Sequence, residues 1–246
     1  MEQISYICTN CGTPVNDLFK EYSPSVLKLT KCLKCMEVAD KYVEYDPVIV
    51  IIDLVLLRKE AYRHVLYNTQ FKFHWKLCII IHIIEAYYEW ILKFPSNSIQ
   101  NKSLEILDNI KEFTINDLIF YKIYILLFMQ TLSFIFVLYI LTILYNKAYN
   151  MNKPYGKLLL EIWKCRTLSN FGVFLLLPSL IWGSRQMLEN SLTFVILFTT
   201  LSELFGYGVI NNYSKGWSAF VISASHCASV SIHYLLSSYV NSHFYT

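Results

Sequence analysis

Cys8-x2-Cys11 and Cys32-x2-Cys35 are the two motifs that decide the fold of the amino-terminal part of this chain. A Cys-x2-Cys loop is a tight turn that aims two sulfurs at one ion, and a second such loop completes a tetrahedral set of thiolates. The spacing therefore predicts a four-cysteine zinc site. One structural zinc per chain is expected, because four thiolates leave no position open for water or substrate. Around this site we predict a small zinc ribbon over residues 1–46, a size at which a metal commonly replaces an adequate core.

The residues next to the two motifs indicate how the ribbon is built. Residues 26–31 lead into Cys32, and residues 38–45 lead out of the second motif, with side chains typical of short strands. Gly12, directly after the first motif, suits a knuckle with a positive φ, which costs glycine nothing. Met36 occupies the matching place after the second motif, so we expect the second knuckle to be built differently. The alternatives to zinc are two disulfides or four idle thiols, and disulfides would require an oxidising compartment.

A helix lying in the membrane surface is predicted for residues 47–68, which follow the ribbon. Asp46 and Pro47 form a capping residue and a first-turn proline, and residues 48–57 are almost entirely apolar. So short a run cannot cross a hydrocarbon core of about 30 Å, and a basic cluster follows it. The alternative is that residues 48–52 form another strand of the ribbon, since periodicity cannot assign a short β-branched run.

In combination, these motifs resemble the homology domain of the Arv family, whose members are endoplasmic-reticulum membrane proteins of sterol and lipid homeostasis. The resemblance is carried by the two cysteine pairs, by DKYVEYDPVI at residues 40–49 and by AYRHVLYN at residues 61–68. It implies a place in the endoplasmic reticulum and an effect on sterol distribution and sphingolipid metabolism. It also implies support of glycosylphosphatidylinositol (GPI) anchor biosynthesis, with sterol, sphingolipid or GPI precursors as the membrane lipids concerned.

Residues around the predicted surface helix are candidates for contacts with a lipid headgroup or a partner protein. A lipid surface is anionic, so the basic cluster after the apolar run would face it favourably. The six candidates are Tyr45, Asp46, Arg58, Lys59, Arg63 and His64. For Arg63 and His64 the alternative is that they solvate the helix and pair with Glu60.

The rest of the chain, residues 72–246, has the composition of a membrane-spanning region. The whole chain is 55% hydrophobic and 16% charged, whereas soluble domains carry nearer a quarter charged residues. The predicted fold class is a mainly α multi-pass membrane protein, with three to five transmembrane helices and a small amino-terminal β zinc ribbon. The candidate spans are residues 77–92, 118–145, 167–182, 192–210 and 217–240. An apolar run at residues 158–160 precedes the third span, but Glu161, Lys164 and Arg166 interrupt it.

Basic residues in short loops predict the side of the membrane that each end occupies. With five spans, most flanking lysines and arginines fall on the ribbon's side, so the amino terminus should be cytosolic and the carboxyl terminus lumenal. Two sequons test this orientation: Asn101 would be lumenal and open to glycosylation, whereas Asn212 would be cytosolic and bare. The first residues are polar, so no cleavable signal peptide is expected. A net charge of +3 without a basic stripe argues against nucleic acid as a partner.

Ionisable residues inside the predicted spans allow an alternative of another class, an integral-membrane metalloenzyme acting on lipid. His82 and Glu85 lie three apart on one helical face, and His226 and His233 could complete a site. The chain has no repeated histidine boxes and no nucleophile motif. We therefore favour the interpretation that these groups, like Glu203, hydrogen-bond one another or a partner and hold the bundle together. No residue is assigned a catalytic role, and the leading interpretation is a non-enzymatic protein.

Two mechanisms fit the non-enzymatic interpretation. As an accessory or scaffold subunit, the protein would dock a GPI-pathway glycosyltransferase complex on a rigid platform made of the ribbon and the surface helix. As a lipid carrier or scramblase, it would need a cleft lined by serine, threonine and small residues, for which residues 217–240 are the modest candidate. The oligomeric state does not follow from the sequence.

Overall fold

A small β-unit, two short helices and a bundle of long helices follow one another along the chain. The computed structural model describes residues 6–23, 26–69, 73–93, 106–150, 154–183, 185–211 and 213–244. The predicted glycosylation sites at Asn101 and Asn212 lie outside the described residues, so their prediction stands as it was.

Two antiparallel hairpins make up the β-unit. β1 (Tyr6–Ile7) pairs with β2 (Pro14–Val15), and β3 (Phe19–Ser23) pairs with β4 (Val26–Leu29). The strand expected before the second cysteine motif is therefore confirmed as β4.

The strand expected over residues 38–45 is wrong. Val38 makes one antiparallel bridge with Lys31, and the chain then turns into a short 3₁₀ segment, Lys41–Val43. The Asp40 side chain causes this turn, because its carboxylate accepts a hydrogen bond from the Tyr42 N–H at 3.0 Å and caps the segment.

The single helix predicted over residues 47–68 is broken at residues 56–58, where Leu57 has a φ of 56°, but residues 47–55 are helical, which excludes another ribbon strand over residues 48–52. α1 (Pro47–Val55) begins where the Asp46 carboxylate accepts a hydrogen bond from the Val48 N–H at 2.8 Å. After a sharp turn, α2 (Lys59–Arg63) continues directly into a π-helical turn, His64–Asn68. Single π-turns often occur at functional sites in proteins.

The remaining helices form the bundle. They are α3 (His74–Lys93), α4 (Ile106–Ala148), α5 (Tyr155–Ser169), α6 (Leu176–Trp182), α7 (Arg185–Asn211) and α8 (Lys215–Phe244). A 3₁₀ segment, Asn170–Leu175, joins α5 to α6. In the described part of the chain, four helical stretches are long and apolar enough to cross a membrane: residues 117–148, 155–182, 186–210 and 215–239. The predicted class, a mainly α multi-pass membrane protein with a small β ribbon, is confirmed.

α3 contains the predicted first span. It packs beside these four stretches but is not among the helices that are apolar enough to cross a membrane. Its charged residues Lys76, Glu85 and Glu89 make it too polar for that set. With 20 residues it is nevertheless about 30 Å long. Its His82 ring contacts Thr131 of α4, and its Tyr88 hydroxyl donates to the Leu188 carbonyl at the start of α7. α3 therefore runs along the bundle from the ribbon side towards the opposite end.

The helix before the predicted third span is not interrupted at its charged residues. Arg166 of α5 forms an ion pair with Glu203 of α7, and Glu203 also bonds to the His226 ring of α8 at 2.7 Å. The Arg166 guanidinium stacks 4.2 Å above the Phe134 ring of α4. Since the charge has a buried partner, the spanning stretch begins at Tyr155 rather than near residue 167. The expectation that Glu203 meets a partner is met inside the chain.

The ribbon-side helices and the bundle share one core. Tyr42, Leu54 and Tyr62 belong to the same buried cluster as Phe134 of α4 and Tyr207 of α7. This shared core fixes the β-unit at the end of the bundle where α4 and α7 finish and α5 and α8 begin.

Candidate metal centre and its attachment to the bundle

The four cysteines of the two motifs converge on one point. The Cys8 and Cys35 sulfurs lie 3.7 Å apart, and the Cys11 and Cys32 sulfurs lie 3.6 Å apart. All four sulfurs lie within 4.8 Å of one another. A tetrahedral ion with metal–sulfur bonds of about 2.3 Å requires sulfurs about 3.8 Å apart. A disulfide would require about 2.05 Å, and the four residues are free thiols. The cluster could therefore hold a single metal ion.

Both knuckles have the same backbone, so the expectation of a differently built second knuckle is wrong. The Gly12 N–H donates to the Cys8 carbonyl at 2.9 Å, and the Met36 N–H donates to the Cys32 carbonyl at 2.9 Å. This hydrogen bond needs a left-handed residue after the second cysteine. Gly12 has a φ of 76° and Met36 a φ of 62°. Met36 thus adopts a conformation that costs a residue with a side chain roughly 1–2 kcal/mol.

Local hydrogen bonds prepare two of the thiols for metal binding. The Thr13 hydroxyl, 3.1 Å from the Cys11 sulfur, lowers the pKa of that thiol to about 6. Backbone N–H groups of Cys35 and Lys34 lower the pKa of the Cys32 thiol. Burial raises the pKa of the Cys8 thiol to about 12. Because a metal binds thiolates, Cys11 and Cys32 are the thiols most readily available to an incoming cation.

Arg63 attaches the first knuckle to α2. Its guanidinium donates to the backbone carbonyls of Thr9 at 2.8 Å and Asn10 at 2.5 Å, the two residues between the first pair of cysteines. The residue is only 8% exposed. A Cβ at Gly12 would meet the same guanidinium at 3.4 Å. Arg63, a predicted contact for lipid or a partner, thus points into the ribbon and supports the loop that carries two sulfurs.

A buried carboxylate connects the π-turn to the ribbon. Asp40, with 0% exposure, accepts a hydrogen bond from the Asn68 side-chain amide at 2.7 Å and lies 2.7 Å from His64 Nδ1. The Asn68 amide also forms a reciprocal pair with the Ile7 backbone, at 2.8 and 2.9 Å. The wide π-turn lets His64 and Asn68 reach the same carboxylate oxygen. His64 therefore also makes its contact within the protein.

The other four predicted contact residues lie on the surface. Tyr45 is partly exposed and packs edge-on against the Tyr42 ring. Asp46 caps α1, and Lys59 is exposed at the start of α2. Arg58 is half exposed and pairs with Asp53 at 3.3 Å. A role for these residues in lipid or partner binding stays a prediction.

Two tyrosines extend the attachment into the bundle. The Tyr62 hydroxyl bonds to the Ser202 hydroxyl of α7 at 2.5 Å, and burial raises the pKa of Tyr62 to about 12, so it stays a neutral hydrogen-bonding group. Gly206 leaves room for this contact, because a Cβ at this position would lie 3.4 Å from the Tyr62 ring and 2.7 Å from the Cys165 sulfur. The Tyr67 hydroxyl donates to the Ile210 carbonyl at 2.9 Å. An unbroken series of contacts thus runs from the metal loop to α7.

α1 has its polar and apolar faces reversed relative to a soluble helix. Asp53 is buried and accepts from the Tyr42 hydroxyl at 2.8 Å. Five large aliphatic side chains of α1 and of the residue that caps its carboxyl end are exposed instead, namely Val48, Ile49, Ile51, Ile52 and Leu56. A helix that turns its acid inward and its aliphatic side chains outward is suited to an apolar environment.

The histidines of the helical bundle do not form a second metal site in the described residues. The His82 ring contacts the Cys78 carbonyl at 2.7 Å and the Thr131 hydroxyl at 2.9 Å. His226 contacts Glu203 rather than His82. Among the residues that the structure describes, the four cysteines are the only group of three or more potential ligands close enough to share an ion.

A model of the Arv1-like family matches residues 7–205 of the chain. The chain belongs to the Arv1-like family. The human relative, protein ARV1, is 34% identical over 178 residues, which are 72% of this chain and 62% of the human protein. The mouse protein ARV1 is 32% identical over 217 residues, which are 88% of this chain and 78% of the mouse protein. The chain thus spans less than two thirds of its human Arv1-family relative. No solved structure matches it.

Sequence reasoning predicted the resemblance that the family model confirms, but it missed the residues that do the attaching. Asp40, Tyr62 and Asn68 all lie in the two segments that carried the resemblance. Their position beside the cysteine motifs was a usable signal. What the sequence did not show was that these side chains face inward and bond to the ribbon and to α7.

Proposed function

We propose that this protein is a non-enzymatic membrane protein of lipid homeostasis in the endoplasmic reticulum, acting as an accessory or scaffold subunit. In this proposal it supports intracellular sterol distribution, sphingolipid metabolism and GPI-anchor biosynthesis, and it docks a GPI-pathway glycosyltransferase complex. Family membership supports the general role. The observation that carries the scaffold role is the contact series from Arg63 through Tyr62 to Ser202, which holds a small metal unit rigidly on the bundle.

Zinc is the metal we propose for the four-cysteine cluster. Soft thiolates in a closed tetrahedral set suit zinc, and such a set contributes folding energy rather than catalysis. Cys8, Cys11, Cys32 and Cys35 would hold one structural ion per chain. The ion would crosslink the two cysteine loops, and its binding free energy would add to the stability of the ribbon.

The ribbon is proposed to lie at the cytosolic face, with α1 dipping into the same leaflet. The exposed aliphatic face of α1 lies next to the core that α1 shares with the spanning helices, so lipid tails would cover this face. Arg58 and Lys59 follow this face and would meet the headgroups. With α3 crossing as a fifth helix, the carboxyl terminus would be lumenal.

The packing of α8 favours a scaffold over a lipid carrier. Ser218, Ser225 and Ser229 are buried, and each hydroxyl donates to a backbone carbonyl three or four residues earlier in the chain rather than lining a cleft. A cavity between α4, α5, α7 and α8 holds only about 10 Å³. A larger recess of about 300 Å³ lies at the far end, around Trp182 and Met187. In the described part of the chain, neither space matches a lipid held within the bundle.

The test is gentle extraction of the full chain, followed by native mass spectrometry and metal analysis. The scaffold proposal expects one zinc per chain and a stoichiometric glycosyltransferase complex. A lone protein with bound sterol would support the carrier mechanism instead. A second metal equivalent that disappears in His82→Ala would point to the metalloenzyme.

A further inference from the structure

The second knuckle exposes an apolar tip that the rest of the described chain does not cover. Leu33, between the two cysteines of that knuckle, is 96% exposed, and Met36 is 70% exposed. The tip is built on a metal-linked loop, so its shape is fixed before anything binds to it. Fully exposed large aliphatic side chains on a rigid loop are costly to keep in water and are common in interaction sites.

Backbone strain at Met36 indicates that its side chain has a use. The equivalent position in the first knuckle is Gly12, which takes its left-handed conformation without cost. Met36 keeps the same conformation although glycine would relieve it. Strain that persists in an exposed loop is typical of functional positions, and methionine is enriched in the cores of protein interfaces.

The position of the tip favours a protein over the bilayer. The first knuckle faces α2 through Arg63, and the second pair of cysteines would hold a tetrahedral ion from the opposite side. The backbone hydrogen bonds of the second knuckle stay within its own loop, from Cys32 to Glu37. The tip therefore points away from the bundle.

The charges around the tip agree with that direction. Lys31, Lys34 and Glu37 are all exposed next to the tip. Two lysines and one glutamate give a net charge of +1, well short of the cluster of about four to eight basic residues that is typical of binding to an anionic lipid surface. A folded protein can match both signs at the rim of a pocket.

We infer that the second knuckle is the docking site for a protein partner, which inserts Leu33 and Met36 into an apolar pocket with an acidic rim facing Lys34. This deepens the proposed scaffold function and rests on it for the identity of the partner. The two residues would act as the central apolar contacts that carry most of the binding energy of such an interface.

The test places a photoreactive residue at position 33 of the full chain in native membranes. The expected result is one protein adduct, which adding Lys34→Glu weakens at least tenfold. A photoreactive residue at position 49 on α1 is the matched control and should give lipid adducts. Lipid adducts at position 33, several unrelated protein adducts, or none would overturn the inference.

Co-purification separates this inference from the proposed function. Leu33→Glu should reduce the recovered glycosyltransferase complex at least tenfold at unchanged zinc content, whereas Tyr22→Glu, an exposed residue on β3, should not. Equal recovery in wild type and Leu33→Glu would refute the docking site and leave the scaffold function intact. No complex with wild type, but a single charge-dependent adduct at position 33, would refute the proposed partner and leave the docking site intact.

Discussion

The two cysteine knuckles share one backbone and differ in what surrounds them. The first is covered, because Arg63 bonds to its carbonyls and the ribbon around it is pinned by Asn68. The second carries its tip into solvent, with Leu33 and Met36 exposed. One knuckle thus fixes the ribbon to the protein, and the other leaves a rigid surface free. The difference shows how one metal site can attach a unit and present a surface at once.

The largest effect should come from losing a ligand, and it should be the same for both knuckles. Cys8→Ser and Cys32→Ser should each abolish metal binding and unfold the ribbon, since structural zinc contributes about 10–16 kcal/mol to folding in small zinc units. Metal content and limited proteolysis measure this, and a strong chelator should reproduce it. A variant that still binds one ion and keeps a protease-resistant ribbon would show that the two knuckles are not equivalent.

The next effect should be confined to the first knuckle. Arg63→Ala leaves the buried Thr9 carbonyl and the partly buried Asn10 carbonyl without their charged donor, which should cost about 3 kcal/mol of ribbon stability. Hydrogen exchange of the ribbon amides, together with the rate of metal transfer to a chelator, reports this loss. Lys59→Ala is the control, because this side chain is exposed at the start of the same helix and such surface substitutions usually change stability by less than about 0.5 kcal/mol. Equal losses of stability in the two variants would contradict the role of Arg63 in holding the first knuckle.

A smaller effect is expected where the attachment enters the bundle. Tyr62→Phe removes the hydroxyl that bonds to Ser202 and should cost about 1 kcal/mol, with the ring still packed against Gly206. Labelling of buried Cys165 in α5 with a thiol reagent should accelerate, whereas exposed Cys227 serves as an internal reference. Unchanged labelling of Cys165 would mean that the hydroxyl contributes nothing to this contact.

The smallest effects should have opposite signs in the two knuckles. Met36→Gly relieves a left-handed conformation and should stabilise the ribbon by about 0.5–1 kcal/mol, after the greater freedom of glycine in the unfolded chain is deducted. Gly12→Ala should destabilise the ribbon by about 1 kcal/mol, since a positive φ is sterically unfavourable for alanine. Hydrogen exchange of the ribbon measures both. Stability changes of the same sign would show that the backbone φ at these two positions does not determine the effect of the substitutions.

Short-range patterns predicted much of this molecule. Cysteine spacing predicted the cluster, Asp46-Pro47 predicted the start of α1, and apolar runs predicted the spans. Each of these signals acts between neighbouring residues, or depends on composition alone. The same kind of reasoning failed at Met36, because a loop hydrogen bond can impose a left-handed conformation against residue preference.

Contacts between distant segments were beyond such patterns. Arg63 looked like a headgroup ligand because a surface helix was expected, and only the fold brings it onto the carbonyls of Thr9 and Asn10. Arg166 looked like a break in a span, because its partner Glu203 lies on another helix. A buried charge can be judged only with its partner in place.

The reversed polarity of α1 has a practical consequence for anyone who wishes to study the ribbon by itself. A fragment that ends at Asn68 would expose five aliphatic side chains to water, and its Tyr62 would lose the site on α7 against which it packs. Such a fragment would keep the four metal ligands and would still aggregate or bind detergent. The cysteine head and the lipid-embedded helices are therefore best treated as one inseparable folding unit.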